Sequence, residues 1–198
     1  NSEKIEGPFI YGGTYQKAEL NTTLGVNTMR LLKSGRGNTA AGSQSLENNI
    51  TGDDNTAFGV HTLEMNKYGH NTGIGASALR FNISGTNNTS IGSNSSYNNT
   101  EGSDNTIVGY SAFRNNIRGY HNTVLGSRAL EENIEGADNI AIGFESLSRN
   151  KNHRNIAIGS FALRENDTGA NNIGIGRIAL EKNISGSNNI ALGRQSLY

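Results

Sequence analysis

Asn139-Ile140-Ala141-Ile142-Gly143-Phe144-Glu145-Ser146-Leu147-Ser148-Arg149-Asn150 decides how the rest of the chain is read. It is one copy of a unit whose glycine recurs as Gly25, Gly42, Gly59, Gly75, Gly92, Gly109, Gly126, Gly143, Gly159, Gly176 and Gly193. The step is 17 residues eight times and 16 twice. Four residues before each glycine stands an asparagine: Asn21, Asn38, Asn55, Asn71, Asn88, Asn105, Asn122, Asn139, Asn155, Asn172 and Asn189. The residue just before the glycine is always apolar, and the third after it is always Ala, Ser or Thr. The fourth after it is Leu, Met or Phe except at Ser96. A further asparagine recurs seven after the glycine, with Leu32 as the exception. A second glycine recurs ten after it, with His153 as the replacement. A fixed short period dictates a repeat architecture.

Working outward, 17 residues are too few for a helix, a strand and their returns, and leucine-rich repeats need 20 or more. The Asn-(Thr/Ile)-small-apolar segment suits a short strand, rich in β-branched residues. The glycine permits a tight turn. The segment after it, as in Ser127-Arg128-Ala129-Leu130-Glu131-Glu132, directs its apolar residue inward as a second strand or a single helical turn. The fold class expected is all-β, a parallel β-solenoid or β-roll of about eleven 16–17-residue coils over residues 21–198. At about 4.8 Å per coil it makes a rod of about 50 Å. Residues 1–20 stand outside the repeat as an N-terminal cap or joint, with a candidate strand from Pro8 to Tyr11.

Stacking explains the strictness, because equivalent side chains form ladders. Asparagine both donates and accepts, so the Asn21-to-Asn189 column reads as a structural ladder. Residues one and three before the glycine share a face of the strand. Ile140/Ile142, Ile156/Ile158, Ile173/Ile175 and Ile190/Leu192 make that face the expected core. The same parity turns inward the earlier Thr22, Thr39, Thr56, Thr72, Thr89, Thr106 and Thr123, which argues against an ice-binding threonine face. The opposite face (Ala40, Ala57, Gly73, Ser90, Ala141, Ala157, Gly174, Ala191) is small, broken by Ile107 and Val124. A small column and a thin core point to chains associating side by side, a trimer about the long axis being the natural closed arrangement.

Composition sets limits. The 198 residues include 26 glycines, one proline and no cysteine, only 33% is apolar, and formal net charge is zero. Nucleic-acid and anionic-membrane partners lack their basic footprint. Disulfides and thiolate metal sites are excluded, and no apolar run is long enough to insert in a membrane. His61, His70, His121 and His153 occupy different repeat positions with no metal-ligand spacing, and the turn acids lack the calcium β-roll pattern. The reading is therefore a non-enzymatic protein with no catalytic residue, no metal and no cofactor.

Asn-Thr-Ala-Phe-Gly around Gly59 and Asn-Ile-Ala-Ile-Gly-Ser-Phe-Ala-Leu-Arg-Glu-Asn around Gly159 resemble the NTAIGxxALxxNxxG repeats of phage tail-fibre-like and bacterial surface fibre proteins. They are also similar to the repeats of trimeric autotransporter adhesin heads. The resemblance covers residues 21–198 and implies a trimeric, left-handed β-roll in an attachment fibre, extracellular, on a cell surface or on a virion. Recognition of a glycan or protein receptor falls to the variable positions after the glycine, with His61, Tyr110, Phe144 and Phe161 as candidates. An alternative is a filament subunit stacking end to end, with Pro8, Phe9, Ile10 and Tyr11 meeting Leu197 and Tyr198 of an uncapped last coil. An ice-binding surface ranks third.

Overall fold

The structure, a computed structural model, describes residues 20–198. Pro8, Phe9, Ile10 and Tyr11, with the strand expected there, lie outside the described residues. Eleven three-residue strands form one parallel sheet in chain order. They are β1 (Thr22–Leu24), β2 (Thr39–Ala41), β3 (Thr56–Phe58), β4 (Thr72–Ile74), β5 (Thr89–Ile91) and β6 (Thr106–Val108). β7 (Thr123–Leu125), β8 (Ile140–Ile142), β9 (Ile156–Ile158), β10 (Ile173–Ile175) and β11 (Ile190–Leu192) complete it. Each strand pairs with its equivalent in register, Thr123 with Ile140 and Leu125 with Ile142 for example. The chain is a β-solenoid, as the period requires.

The segment after the glycine is neither a strand nor a helical turn. In the Gly126 coil, Arg128 and Leu130 have φ of 55° and 51°, and the same two positions are left-handed in every coil. The sign alternation aims successive amides at different neighbours: Arg128 N–H donates to Tyr110 O (2.9 Å) one coil back, and Leu130 N–H to Ser146 O (2.9 Å) one coil on. A left-handed L-residue costs roughly 1–2 kcal/mol. That cost is borne because each coil's amides must bond to the coils beside it. Gly143, at φ 130°, stands where a Cβ would meet the Gly159 carbonyl carbon at 2.6 Å, so adjacent coils touch backbone to backbone there.

The parity is the reverse of the expectation. In β2 through β11 it is the middle residue that is buried: Ala40, Ala57, Gly73, Ser90, Ile107, Val124, Ala141, Ala157, Gly174 and Ala191. The Thr/Ile column and the large apolar column face outward. The reason is room. The interior is already filled by the leucine four after each glycine, such as Leu46, Leu63, Leu130 and Leu147, all fully buried. A Cβ on Gly73 would lie 3.3 Å from Leu63 Cγ, and one on Gly174 3.2 Å from Leu163 Cδ1. Small strand residues are thus the complement of that leucine, and the close approach they permit is within the chain, not between chains. Ser96, at the leucine position of its coil, is instead met by the Ser90 hydroxyl at 3.0 Å.

Two asparagine ladders flank the core. Asn122 Oδ1 accepts from both the Asn139 N–H (3.0 Å) and the Asn139 Nδ2 (3.1 Å), while Asn122 Nδ2 donates to Gly136 O (3.0 Å). The second runs through the asparagine seven after the glycine, with Asn116 Nδ2 reaching Asn99 Oδ1 at 2.6 Å and Asn133 Nδ2 reaching Asn116 Oδ1 at 3.0 Å. Both columns are buried from Asn38 and Asn49 up to Asn172 and Asn166.

The two 16-residue coils lose their residue in the corner before the second glycine. Tyr68 O and Asn152 O accept from Asn55 Nδ2 and Asn139 Nδ2, each at 2.9 Å, as Gly52 O does from Asn38 Nδ2. Tyr68 and Asn152 therefore occupy the glycine column, and Gly69 and His153 fall in the next one. This also corrects the histidines: His70 and His121 share one column, five residues before their glycines.

Candidate functional site

The surface that stands apart is the outward face of the sheet. It carries two columns. One is Thr22 to Thr123 followed by Ile140, Ile156, Ile173 and Ile190; the other is Leu24, Ala41, Phe58, Ile74, Ile91, Val108, Leu125, Ile142, Ile158, Ile175 and Leu192. Among the described residues none of the strands β1–β11 contains a charged residue, although 17% of the chain is charged. Large side chains stand open along it, Leu125 at 49% and Phe58 at 43% exposure among them. An uncharged face with open apolar side chains along its length marks a candidate interaction surface.

The threonines add a second property. Thr28 and Thr62, outside the sheet, donate their hydroxyls to Gly42 O (2.9 Å) and Gly75 O (2.6 Å). The hydroxyls from Thr39 to Thr123 have no such partner among the described residues, being held over the sheet by a strand whose own amides are used in the ladder.

The candidate recognition residues do not form one cluster. Tyr110 (54% exposed) and Phe144 (43%) are one residue past their glycines and extend the apolar face round its rim, together with Val60. Phe161 packs edge-on against Phe144 at 5.3 Å and lies under the Arg164 guanidinium at 5.2 Å. His61 is elsewhere engaged, its Nδ1 2.8 Å from Glu64 Oε2. Leu197 and Tyr198 are exposed, with Lys182 Nζ 4.1 Å from the Tyr198 ring centroid.

A charged and aromatic strip, five and six residues past the glycines, went unread in the sequence. Arg30 Nε meets Glu47 Oε1 at 2.7 Å, and Arg80 Nε meets Glu64 Oε2 at 2.7 Å. Tyr97 lies between the guanidiniums of Arg80 (6.0 Å) and Arg114 (5.5 Å) and packs edge-on to Phe81 at 5.1 Å. The signal available was the recurrence of opposite charges one period apart. Burial would raise the Glu47 carboxyl, but hydrogen bonds from Gln44 and Arg30 outweigh it and hold the group below the usual carboxylate range. Burial does prevail at Glu131, which is pushed up against the attraction of Arg128 and Arg114.

Elsewhere, the surface is shallow. Two depressions of about 360 and 380 Å³ flank the shortened coil before Gly159, one lined by Arg149, Lys151, Glu165 and Asp167, the other by Tyr120, Asp138, His153 and Arg154. The ring of His121 lies 3.4 Å from Asp138 and 3.9 Å from Asp104, all three exposed. His153 Nδ1 instead accepts from the buried Ala137 N–H at 2.9 Å, a structural use. Among the described residues no group of three His, Asp or Glu is placed to hold a metal ion.

By fold the chain is a β-solenoid repeat protein, defined by a ladder-bonded rod with one uncharged face. No family model matches the chain, and neither a curated protein nor a solved structure is detectably similar to it.

Proposed function

We propose that the chain is a non-enzymatic segment of an extracellular or virion attachment fibre, in which copies pack side by side through the outward sheet face. The observation that carries this is the unbroken absence of charge along eleven stacked strands, over which large apolar side chains stand open. Burial of apolar surface drives association, and a rod that offers such a face over its whole length buries it best against a parallel copy of itself. The number three comes from the resemblance of the repeats to trimeric fibre proteins; the choice of face comes from the packing. In a three-fold arrangement equal coils lie level, so each column meets its own equivalents around the axis. The rim residues Tyr110 and Phe144 and the Arg80–Tyr97–Arg114 strip stay available to a glycan or protein receptor.

A second reading is favoured by the threonine hydroxyls, which stand outward one per coil without partners. An ice-binding surface needs such a ladder, but the neighbouring column, with Ala41, Phe58 and Leu125, is uneven in size. Mass by light scattering after size exclusion, with electron micrographs of the same fractions, tests both. A discrete mass near three chains supports the fibre, and long uniform filaments the end-to-end alternative. A monomer with thermal hysteresis would replace the proposal by the ice-binding reading.

A further inference from the structure

Resting on the reading that the sheet face packs against copies of the chain, we propose that the face is a graded zipper. Its C-terminal four strands, β8–β11, form the anchor that holds the copies together, and the threonine-bearing strands β1–β7 set level and register at little gain in affinity.

The basis is a change of chemistry at one point in an otherwise uniform ladder. Up to β7 the residue three before the glycine is Thr; from β8 onward it is Ile, at positions 140, 156, 173 and 190. The companion column holds Ile142, Ile158, Ile175 and Leu192 over the same four strands, so this part of the face is apolar in both columns. Over β1–β7 the companion column is uneven, from Ala41 to Phe58, and one column of every pair is a hydroxyl. Apposing a second copy strips water from both halves. For the isoleucines that is wholly favourable. For Thr39 to Thr123 the hydroxyls have no partner within their own chain, so docking must replace water by hydroxyls of the other copies. A net gain survives only when equal coils are level, which makes the threonine half discriminate register while adding little to affinity. Small buried middle residues go with Thr (Ala40, Ala57, Gly73) as well as with Ile (Ala141, Ala157, Gly174), so the solenoid itself does not require the switch, although the two strands just before it carry Ile107 and Val124. Its consequence falls on whatever meets the face.

The experiment uses substitutions that the fold already carries at equivalent positions. Ile140→Thr/Ile156→Thr/Ile173→Thr gives β8–β10 the residue of the seven coils before them. Thr89→Ile/Thr106→Ile/Thr123→Ile does the converse. Association is measured by sedimentation over a dilution series, with circular dichroism to show that each variant keeps the solenoid. The Ile→Thr set is expected to raise the concentration of half-dissociation by about a hundredfold or more, and the Thr→Ile set to lower it while admitting species of higher or mixed mass. An Ile→Thr set that dissociates no more readily than an oligomeric wild type overturns the anchor and leaves the sheet-face assembly standing. A Thr→Ile set that weakens association also overturns it, by showing the hydroxyls to be the stronger contact. A wild type that stays monomeric at every concentration overturns the assembly and the zipper together.

Discussion

At the level of single residues, the asparagine column is the costliest place to alter. Asn105 takes part in five hydrogen bonds at once. Its N–H and Nδ2 donate to Asn88 Oδ1 at 3.1 and 3.0 Å, its Nδ2 also donates to Gly119 O at 2.9 Å, and its Oδ1 accepts from Asn122 N–H and Nδ2 at 3.0 and 3.1 Å. Asn105→Ala keeps only the backbone donor and strands the buried Asn122 N–H, while Asn122 Nδ2 retains Gly136 O and Gly119 O retains Asn116 Nδ2. The stranded donor costs about 1–3 kcal/mol and the other lost hydrogen bonds add to it, so the expected loss in urea unfolding is about 2–4 kcal/mol. Glu135→Ala, on the exposed surface of another coil, serves as the control and should change stability by less than about 0.5 kcal/mol. Equal effects of the two would mean that the ladder is ornamental. The uniformity of the column follows from this geometry. Aspartate would place a carboxylate against two other acceptors, and a shorter or apolar side chain would break both neighbours.

The coil is the next unit up, and its length is enforced unevenly. At the shortened coil before Gly159, Asn150 Nδ2 donates to Asn152 O at 2.7 Å but, unlike Asn116 and Asn133, does not also reach the asparagine one coil back, and Asn133 Oδ1 is left buried without a partner. Inserting one residue between Lys151 and Asn152, together with Asn152→Gly, restores the 17-residue corner. It is expected to reconnect Asn150 to Asn133 and stabilise the protein by about 1–2 kcal/mol, the usual return for satisfying a buried acceptor; a melting temperature that falls would show the corner to be adapted to its short form. Removing a residue from a strand, such as Ala141, has no such tolerance, because a one-residue slip reverses inside and outside. That same parity marks the limit of what could be read from the sequence. The period, the strand position and the inward leucine were legible because each recurs at fixed spacing. The direction of the strand was not. Ile140 and Ile142 look like core by hydropathy, and only the packing of Leu130 and Leu147 shows that a 17-residue coil has no room left for them. The outward face was unreadable for the same reason, and the Arg80–Tyr97–Arg114 strip because its members are five residues past the glycine in a segment whose left-handed turns no propensity forecasts.

Across the whole rod, the core is continuous in backbone but not in apolar packing. One buried cluster runs from Met29 to Leu79 with Ala40, Leu46, Ala57 and Leu63; a larger one runs from Ile107 and Phe113 to Ala191. Between them the fifth coil buries Ser90, Ser95 and Ser96, with Ser90 Oγ 2.7 Å from Ser95 Oγ and 3.0 Å from Ser96 Oγ. In a stacked repeat, stability is a sum of coil terms and nearest-neighbour terms, so a weak junction lets the two sides come apart in energy. Hydroxyl pairs contribute about 1 kcal/mol where a buried leucine would contribute about 2–3 kcal/mol. The fifth coil is therefore the expected seam between two cooperative units. The N-terminal unit is the smaller, and its first strand is open, with Leu24 outward and uncovered among the described residues. Native-state hydrogen exchange should accordingly show amides of the coils from Gly42 to Gly75 opening at lower free energy than those from Gly109 to Gly176, with the step at Gly92. Urea unfolding should then depart from a single transition. Protection that stays level across Gly92 would mean that the two asparagine ladders, which pass through the fifth coil unbroken at Asn88 and Asn99, couple the halves more strongly than apolar contact does. In that case the rod would unfold as one body, held by its hydrogen-bond columns and not by its core.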